Sequence, residues 1–140
     1  MTMQVVQVSL DKANTFSNTY SSRYTFVTDC DAAFGIVDGA GDLHGVAICR
    51  KLDSNENKEK AIDIVSLCTD DWYNADLLLY KACCRFAHDI GCSKVVALAG
   101  AERNTALIKQ GFVRESESRG LERLRSRRYR NLKVRWIKVL

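Results

Sequence analysis

Apolar and polar positions alternate in some stretches of this chain and recur at helical spacing in others. Gln4 to Leu10 alternates and carries three valines, which predicts a strand. Asp11 is placed to cap a short helix from Lys12 to about Asn18. Residues 19–32 are polar and irregular, and a loop of that length inside a compact domain is often functional. Ala33 to Val37 and Leu43 to Leu52 flank Asp38-Gly39-Ala40-Gly41-Asp42, the pattern of a β-hairpin. Residues 53–60 lack an apolar anchor and read as a mobile loop, whereas Ala61 to Cys68 is apolar and β-branched, as a central strand should be.

The strongest helical signal runs from Asp76 to Ile90. Leu78, Leu79, Ala82, Cys83, Phe86, Ala87 and Ile90 form one apolar stripe, and Gly91 follows as the residue that ends the helix. Ser93 to Ala99 predicts a second central strand. Ala101 to Gln110 predicts a shorter helix stopped by Gly111, with Phe112 opening another strand. Leu132 to Val139 alternates and closes the order as a strand, which offers an exposed sheet edge for pairing with a second chain.

The resulting order is strand, helix, hairpin, strand, helix, strand, helix, strand, strand. The strand–helix–strand unit from 61 to 99 is a right-handed crossover between parallel strands. The fold class is therefore α/β (α+β), a mixed sheet with an antiparallel N-terminal part. At 140 residues, 1–140 is expected to be a single domain, with a basic segment from 114 to 140.

Charge divides the chain unevenly. Residues 1–113 hold 11 Lys/Arg against 14 Asp/Glu, a net of −3, while 114–140 hold 10 against 3, a net of +7. The basic end includes Arg119, Arg123, Arg125, Arg127, Arg128, Arg130, Lys133 and Arg135, and it points to an anionic partner such as nucleic acid or a phosphorylated cofactor, or to a solvated arm. The six cysteines form no Cys-x-x-Cys pair and only two histidines exist, so no metal site is expected. Buried reduced thiols fit a cytoplasmic protein, as do the absence of a bilayer-length apolar run and an N-terminus, Met1-Thr2-Met3-Gln4, without signal-peptide character.

Thr69-Asp70-Asp71-Trp72-Tyr73-Asn74 joins the first crossover strand to its helix. Such a loop aims backbone N–H groups and a positive dipole end at an anion. Asp70 and Asp71 oppose an anion there unless their side chains turn away, and either could cap the helix instead. Asn74 is a cap or a cofactor contact. Trp72 and Tyr73 could stack on a base or fold back as a lid. His44 and His88 read as structural, and no Ser-His-Asp or Cys-His set is visible.

This element order, with Gly111-Phe112 ending the short helix, resembles the GNAT acyltransferase fold, whose sheet is partly splayed and flanked by helices. The resemblance implies an acyltransferase whose donor, acetyl-coenzyme A or another acyl-coenzyme A, sits between the splayed strands at Cys68, Thr69, Trp72, Tyr73, Asn74 and Ala75, with Asn104 on the pantetheine. The family's usual phosphate loop is Arg/Gln-x-x-Gly-x-Gly/Ala, and here Asp71-Trp72-Tyr73-Asn74-Ala75 takes its place without the glycines. Three stretches are similar, within that superfamily, to the phage and prophage Mom-type DNA-modification proteins. They are Thr19-Tyr20-Ser21-Ser22-Arg23, the hairpin from Phe34 to Ile48, and Leu67-Cys68-Thr69-Asp70 with Asn74 to Tyr80. The family's His stands as Thr19 here.

The similarity to these proteins implies an N-acyltransferase of phage type acting on an amine, a nucleobase amine in DNA among the candidates. Tyr20, Ser21 and Arg23 would carry acceptor binding or chemistry, a Tyr hydroxyl as acid and an Arg as phosphate grip. The alternative is a non-catalytic nucleic-acid-binding module on the same scaffold, and a third reading is transfer to a protein or tRNA-borne amine.

Overall fold

The computed structural model describes residues 3–21, 24, 26–53, 60–100, 104–115 and 133–140. The element order matches the one read from periodicity: β1 (Gln4–Gln7), α1 (Leu10–Tyr20), β2 (Ala32–Val37), β3 (Leu43–Asp53), β4 (Lys60–Thr69), α2 (Ala75–Asp89), β5 (Lys94–Gly100), α3 (Thr105–Lys109), β6 (Val113–Arg114) and β7 (Lys133–Val139). They form one seven-stranded sheet in the order β1-β2-β3-β4-β5-β7-β6. Every pairing is antiparallel except β4 with β5, the single parallel crossover. β7 lies between β5 and β6, so it is not the exposed edge that its sequence position suggested. Loop residues 54–59 and most of the basic segment, 116–132, lie outside the described residues.

Strand alternation sends neighbouring residues to opposite faces; α2 and α3 cover one face and α1 the other. On one face Leu79, Cys83 and Ala87 of α2 pack on Phe34, Ala47, Ile62, Ile64, Val95 and Ala97. On the other, Ala13 and Phe16 of α1 pack on Ala33, Val46 and Ile48. Ser9 caps α1, its Oγ accepting from the N–H of Lys12 at 3.1 Å, so the helix starts two residues before the stretch expected behind Asp11 and runs to Tyr20. Both later helices stop on a glycine at φ 85°, Gly91 and Gly111, where a side chain would be strained. After Gly91 the N–H of Cys92 returns to the carbonyl of Ala87, and after Gly111 that of Phe112 returns to Leu107. The six cysteines are free thiols; Cys49 and Cys83, from opposite sides of the core, touch at 3.4 Å.

Two irregularities position the rest. The β4–β5 ladder runs from Ala61 opposite Lys94 to Ile64 opposite Ala97, and stops. At the same place β4 carries a bulge: Cys49 pairs with Ile64 and Ile48 with Ser66, which leaves Val65 without a counterpart on β3. A bulge bends its strand and sharpens the local twist. Beyond Val65, β4 stays with β3 while β5 continues with β7, and the two parallel strands part.

Candidate active site

The parting opens a cleft of about 420 Å³ through the middle of the sheet, within the range of small-molecule sites. Its walls are Ile64 to Cys68 of β4 and Ala97 to Ala99 of β5, with Tyr80 of α2 on one side and Ser21 and Tyr24 on the other. Among the described residues, the β5-facing edge of β4 from Val65 to Thr69 has no strand partner. A row of backbone donors and acceptors is thereby presented to whatever enters.

Of the residues singled out in the sequence, Cys68 and Ser21 line the cleft. Tyr20 does not: it sits on the last turn of α1, 54% exposed, its ring 4.5 Å from that of Phe16. Arg23 lies outside the described residues. From the segment after α1 the tyrosine that reaches the cleft is Tyr24, which pattern reading passed over. Its hydroxyl donates to Oδ1 of Asn14, a fully buried side chain of α1. Asn14 also accepts from the N–H of Val27 at 3.0 Å and donates to the carbonyl of Val27 at 2.9 Å. One polar residue inside an apolar helix face thus pins the loop that carries Tyr24. The available signal was Asn14 itself, a polar residue at a core-facing helix position. Burial pushes the hydroxyl of Tyr24 and the thiol of Cys68 above their ordinary values, and that of Tyr80 further. All three are neutral near pH 7.

At the mouth, the loop between β4 and α2 is held by its own side chains. Thr69 Oγ1 accepts from the N–H of Asp71 at 3.2 Å, and Asp70 Oδ1 accepts from that of Trp72 at 3.2 Å. Asp71 and Asn74 both adopt the left-handed conformation, at φ 68° and 62°. Asn tolerates that region better than most residues, and this conformation accounts for Asn74, since its side chain makes no capping bond. Neither Asp70 nor Asp71 caps α2. The N–H groups of Tyr73, Asn74 and Asp76 have no partner among the described residues. They remain available at the positive end of the helix. Ala75 is fully buried beneath them, and Tyr73 is 84% exposed.

Asp70 meets the objection raised by its charge. Its Oδ2 lies 2.7 Å from Nδ1 of His44, whose Nε2 lies 2.8 Å from Oδ2 of Asp38 in the β2–β3 turn. Both carboxylate oxygens of Asp70 are therefore engaged within the loop and the hairpin. The His44 ring stacks on Trp72 with centroids 3.5 Å apart and planes 18° from parallel. His44 is only 9% exposed. Burial works against its charged form, but the hydrogen bonds and charges of Asp38 and Asp70 outweigh it and hold the imidazole above its ordinary value. The bond to His44, with those from the N–H groups of Asp42 and Ala40, holds Asp38 low. Asn104, expected on the cofactor, caps α3 instead, its Oδ1 accepting from the N–H of Leu107 at 3.2 Å. No metal-binding cluster occurs among the described residues, and none of their helices is long and apolar enough to cross a membrane.

Whole-chain comparison with solved structures decides the fold. An Arabidopsis thaliana NAA60 structure in complex with acetyl-CoA superposes with a TM-score of 0.71 at 14% identity, covering 99% of this chain and 99% of that one. The fold is that of the GNAT acetyltransferases. A Streptococcus pneumoniae acetyltransferase of the GNAT family matches at TM-score 0.67 and 11% identity over 99% of each chain. A NatC complex bound to Gag peptide and CoA matches at TM-score 0.68 and 14% identity, covering 100% of this chain and 99% of that one. No protein-family profile and no curated protein sequence matches the chain.

Proposed function

We propose that this chain is an acyl-coenzyme A-dependent N-acyltransferase. The observation that carries the reading is the parting of β4 from β5 at Ile64 and Ala97, with the bulge at Val65 beside it. An extended amide-bearing arm fits such a gap as a further strand would, bonding to the free edge of Val65 to Thr69. The N–H groups at the start of α2 suit the phosphates, and the exposed ring of Tyr73, beside a shallow surface lined by Met3, Asp71 and Trp72, suits a base. That these residues fit the donor is supported by the loop's unpartnered N–H groups and by the engagement of Asp70 with His44.

In the reaction the acceptor nitrogen attacks the thioester carbonyl. A C–N bond forms, the C–S bond breaks, and the proton lost by nitrogen goes to the departing thiolate. Backbone N–H groups of β4 would stabilise the oxyanion, with Ser21 and Tyr24 positioning the amine. Tyr20 and Arg23 are proposed at the acceptor side on the strength of the sequence resemblance alone. Thermal stabilisation by acetyl-coenzyme A tests this reading, and the absence of any shift at about 1 mM ligand would overturn it.

For the acceptor we propose a nucleobase amine in DNA, supported by the net +7 of residues 114–140 and by the resemblance to the phage DNA-modification proteins. Mass spectrometry of nucleosides from DNA incubated with protein and acetyl-coenzyme A tests it, and modification of peptide or tRNA amines alone would overturn it. A second reading, nucleic-acid binding without catalysis, is favoured by one feature. The titratable groups of the cleft, Tyr24, Cys68 and Tyr80, all have raised values, and none is a ready base near neutrality. It predicts salt-dependent binding that charge reversal of Arg123, Arg125, Arg127, Arg128 and Arg130 abolishes, with no acyl transfer.

A further inference from the structure

We propose that His44 is a positioning residue for the donor site: by bridging Asp38 and Asp70 and stacking on Trp72, it locks the β4–α2 loop in a form that receives a phosphate chain. The inference rests on the donor reading above and adds to it a residue outside the cleft. The three contacts come from two separate places: Asp38 from the hairpin turn, and Asp70 and Trp72 from the β4–α2 loop. The backbone reinforces them, since the N–H of Asp70 donates to the carbonyl of His44 at 2.9 Å. Among the described residues, the charged groups facing His44 are those two carboxylates. From α2, the third element packed there, the neighbour of the adjoining Gly45 is the apolar Leu79.

The glycine-free loop explains why such a device is useful. Glycine lets a backbone approach a pyrophosphate because it has no side chain to clash or repel. This loop presents two carboxylates instead, and an unrestrained Asp70 is free to swing toward the bound anion. Held by His44 on one oxygen and by the N–H of Trp72 on the other, it stays in the loop framework. An imidazolium donates from both ring nitrogens and serves both aspartates at once. Neutral imidazole has one N–H, so on deprotonation one carboxylate faces a lone pair. The bridge is thus whole at low pH and weakens as pH rises through the value of His44 in the folded chain.

Two readouts test this. Indole fluorescence is quenched by a stacked imidazolium, so Trp72 emission in the wild type is expected to rise with pH, through a midpoint above that of an ordinary histidine. In His44→Gln this pH dependence is expected to vanish, while the emission of Trp72 and Trp136 persists. By calorimetry, His44→Gln is expected to bind coenzyme A about tenfold more weakly than the wild type at about pH 7. Donor KM rises with it while acceptor KM stays put, and the fall in donor affinity toward high pH, relative to the variant, is lost. Should His44→Gln fail to fold by circular dichroism, Asp38→Asn carries the test. It leaves the His44–Asp70 contact in place, removes the anchor behind it, and is expected to weaken coenzyme A binding by a smaller factor. Flat wild-type fluorescence, or a folded variant that binds coenzyme A as tightly as the wild type, would overturn the proposal. A wild type that binds no coenzyme A overturns the donor reading itself, and the fluorescence titration distinguishes that outcome from the failure of the clamp.

Discussion

Tyr24 donates its hydroxyl hydrogen to Asn14, a side chain with no exposed surface. The pair ties this wall of the cleft to the interior of α1. Replacing Asn14 by Ala removes its bonds to Tyr24 and to both backbone groups of Val27, and strands those groups where water reaches them poorly. A loss of about 2–3 kcal/mol in urea unfolding is expected. Tyr24→Phe is milder, about 1 kcal/mol, because Oδ1 of Asn14 keeps the N–H of Val27. Its larger effect is expected in acceptor kcat/KM, measured by steady-state kinetics; an unchanged value would remove Tyr24 from the site.

Val65 is the extra residue of β4, and its deletion is a sharper test of the cleft than any substitution. Ile64 and Ser66 pair with Cys49 and Ile48, adjacent residues of β3, so joining them restores a regular ladder and leaves every other side chain on its present face. The deletion variant is expected to fold, with stability within about 2 kcal/mol of the parent. It is also expected to lose coenzyme A binding because β4 no longer leaves β5. Retained binding in calorimetry would separate the bulge from the site.

Gly45 admits no side chain without displacement. A Cβ there would stand 3.0 Å from Leu79 Cδ1, 3.0 Å from Thr69 Cγ2 and 3.2 Å from the carbonyl oxygen of Cys68. Gly45→Ala is expected to cost about 1–3 kcal/mol as an overpacked core position. Because two of the three obstacles belong to the strand end that enters the loop, donor affinity should fall too. A stability loss without any change in donor binding would show that the strand end adjusts.

Asp63 supplies a pH test away from the cleft. Burial raises its carboxyl above the ordinary value, against the pull of Arg135 and Arg50. The folded chain therefore holds this proton more tightly than the unfolded chain, and ionisation costs stability at every pH above the folded value. Below the ordinary carboxylate range both states are protonated and the cost disappears. Asp63→Asn is expected to raise Tm by about 2 °C at about pH 7 and to leave it unchanged at about pH 3. A lower Tm at neutral pH would mean that the arginines outweigh burial.

Periodicity was enough to read the strands, the stripe of α2 and the two glycine stops, because each is a local consequence of side-chain spacing. The site depended on relations that spacing does not carry. The bulge at Val65 is a property of the β3–β4 pairing, and nothing in Ile64-Val65-Ser66 marks it. Tyr20 and Tyr24 look equivalent in a polar stretch until α1 is seen to extend through Tyr20, which leaves Tyr24 to turn inward. His44 read as structural because its partners, Asp38 and Asp70, stand 6 and 26 residues away in sequence. Asp70 and Asp71 could be recognised as a problem for an anion, but not the contact that resolves it.

The position of β7 has a bearing on how the chain is made. Lys94 of β5 pairs with Val139 and Gly100 with Lys133, so β5 is synthesised before its antiparallel partner. Until then it is held by a short parallel ladder to β4, and its other edge is open. Pairings between segments so distant in sequence form slowly, and an open strand edge on a nascent chain invites other chains. A nascent chain that has reached α3 already carries the β4–α2 loop and α2, yet Ala97 to Ala99 are not fixed as a wall of the cleft. The cleft is therefore completed late, when β7 docks and fixes its β5 wall.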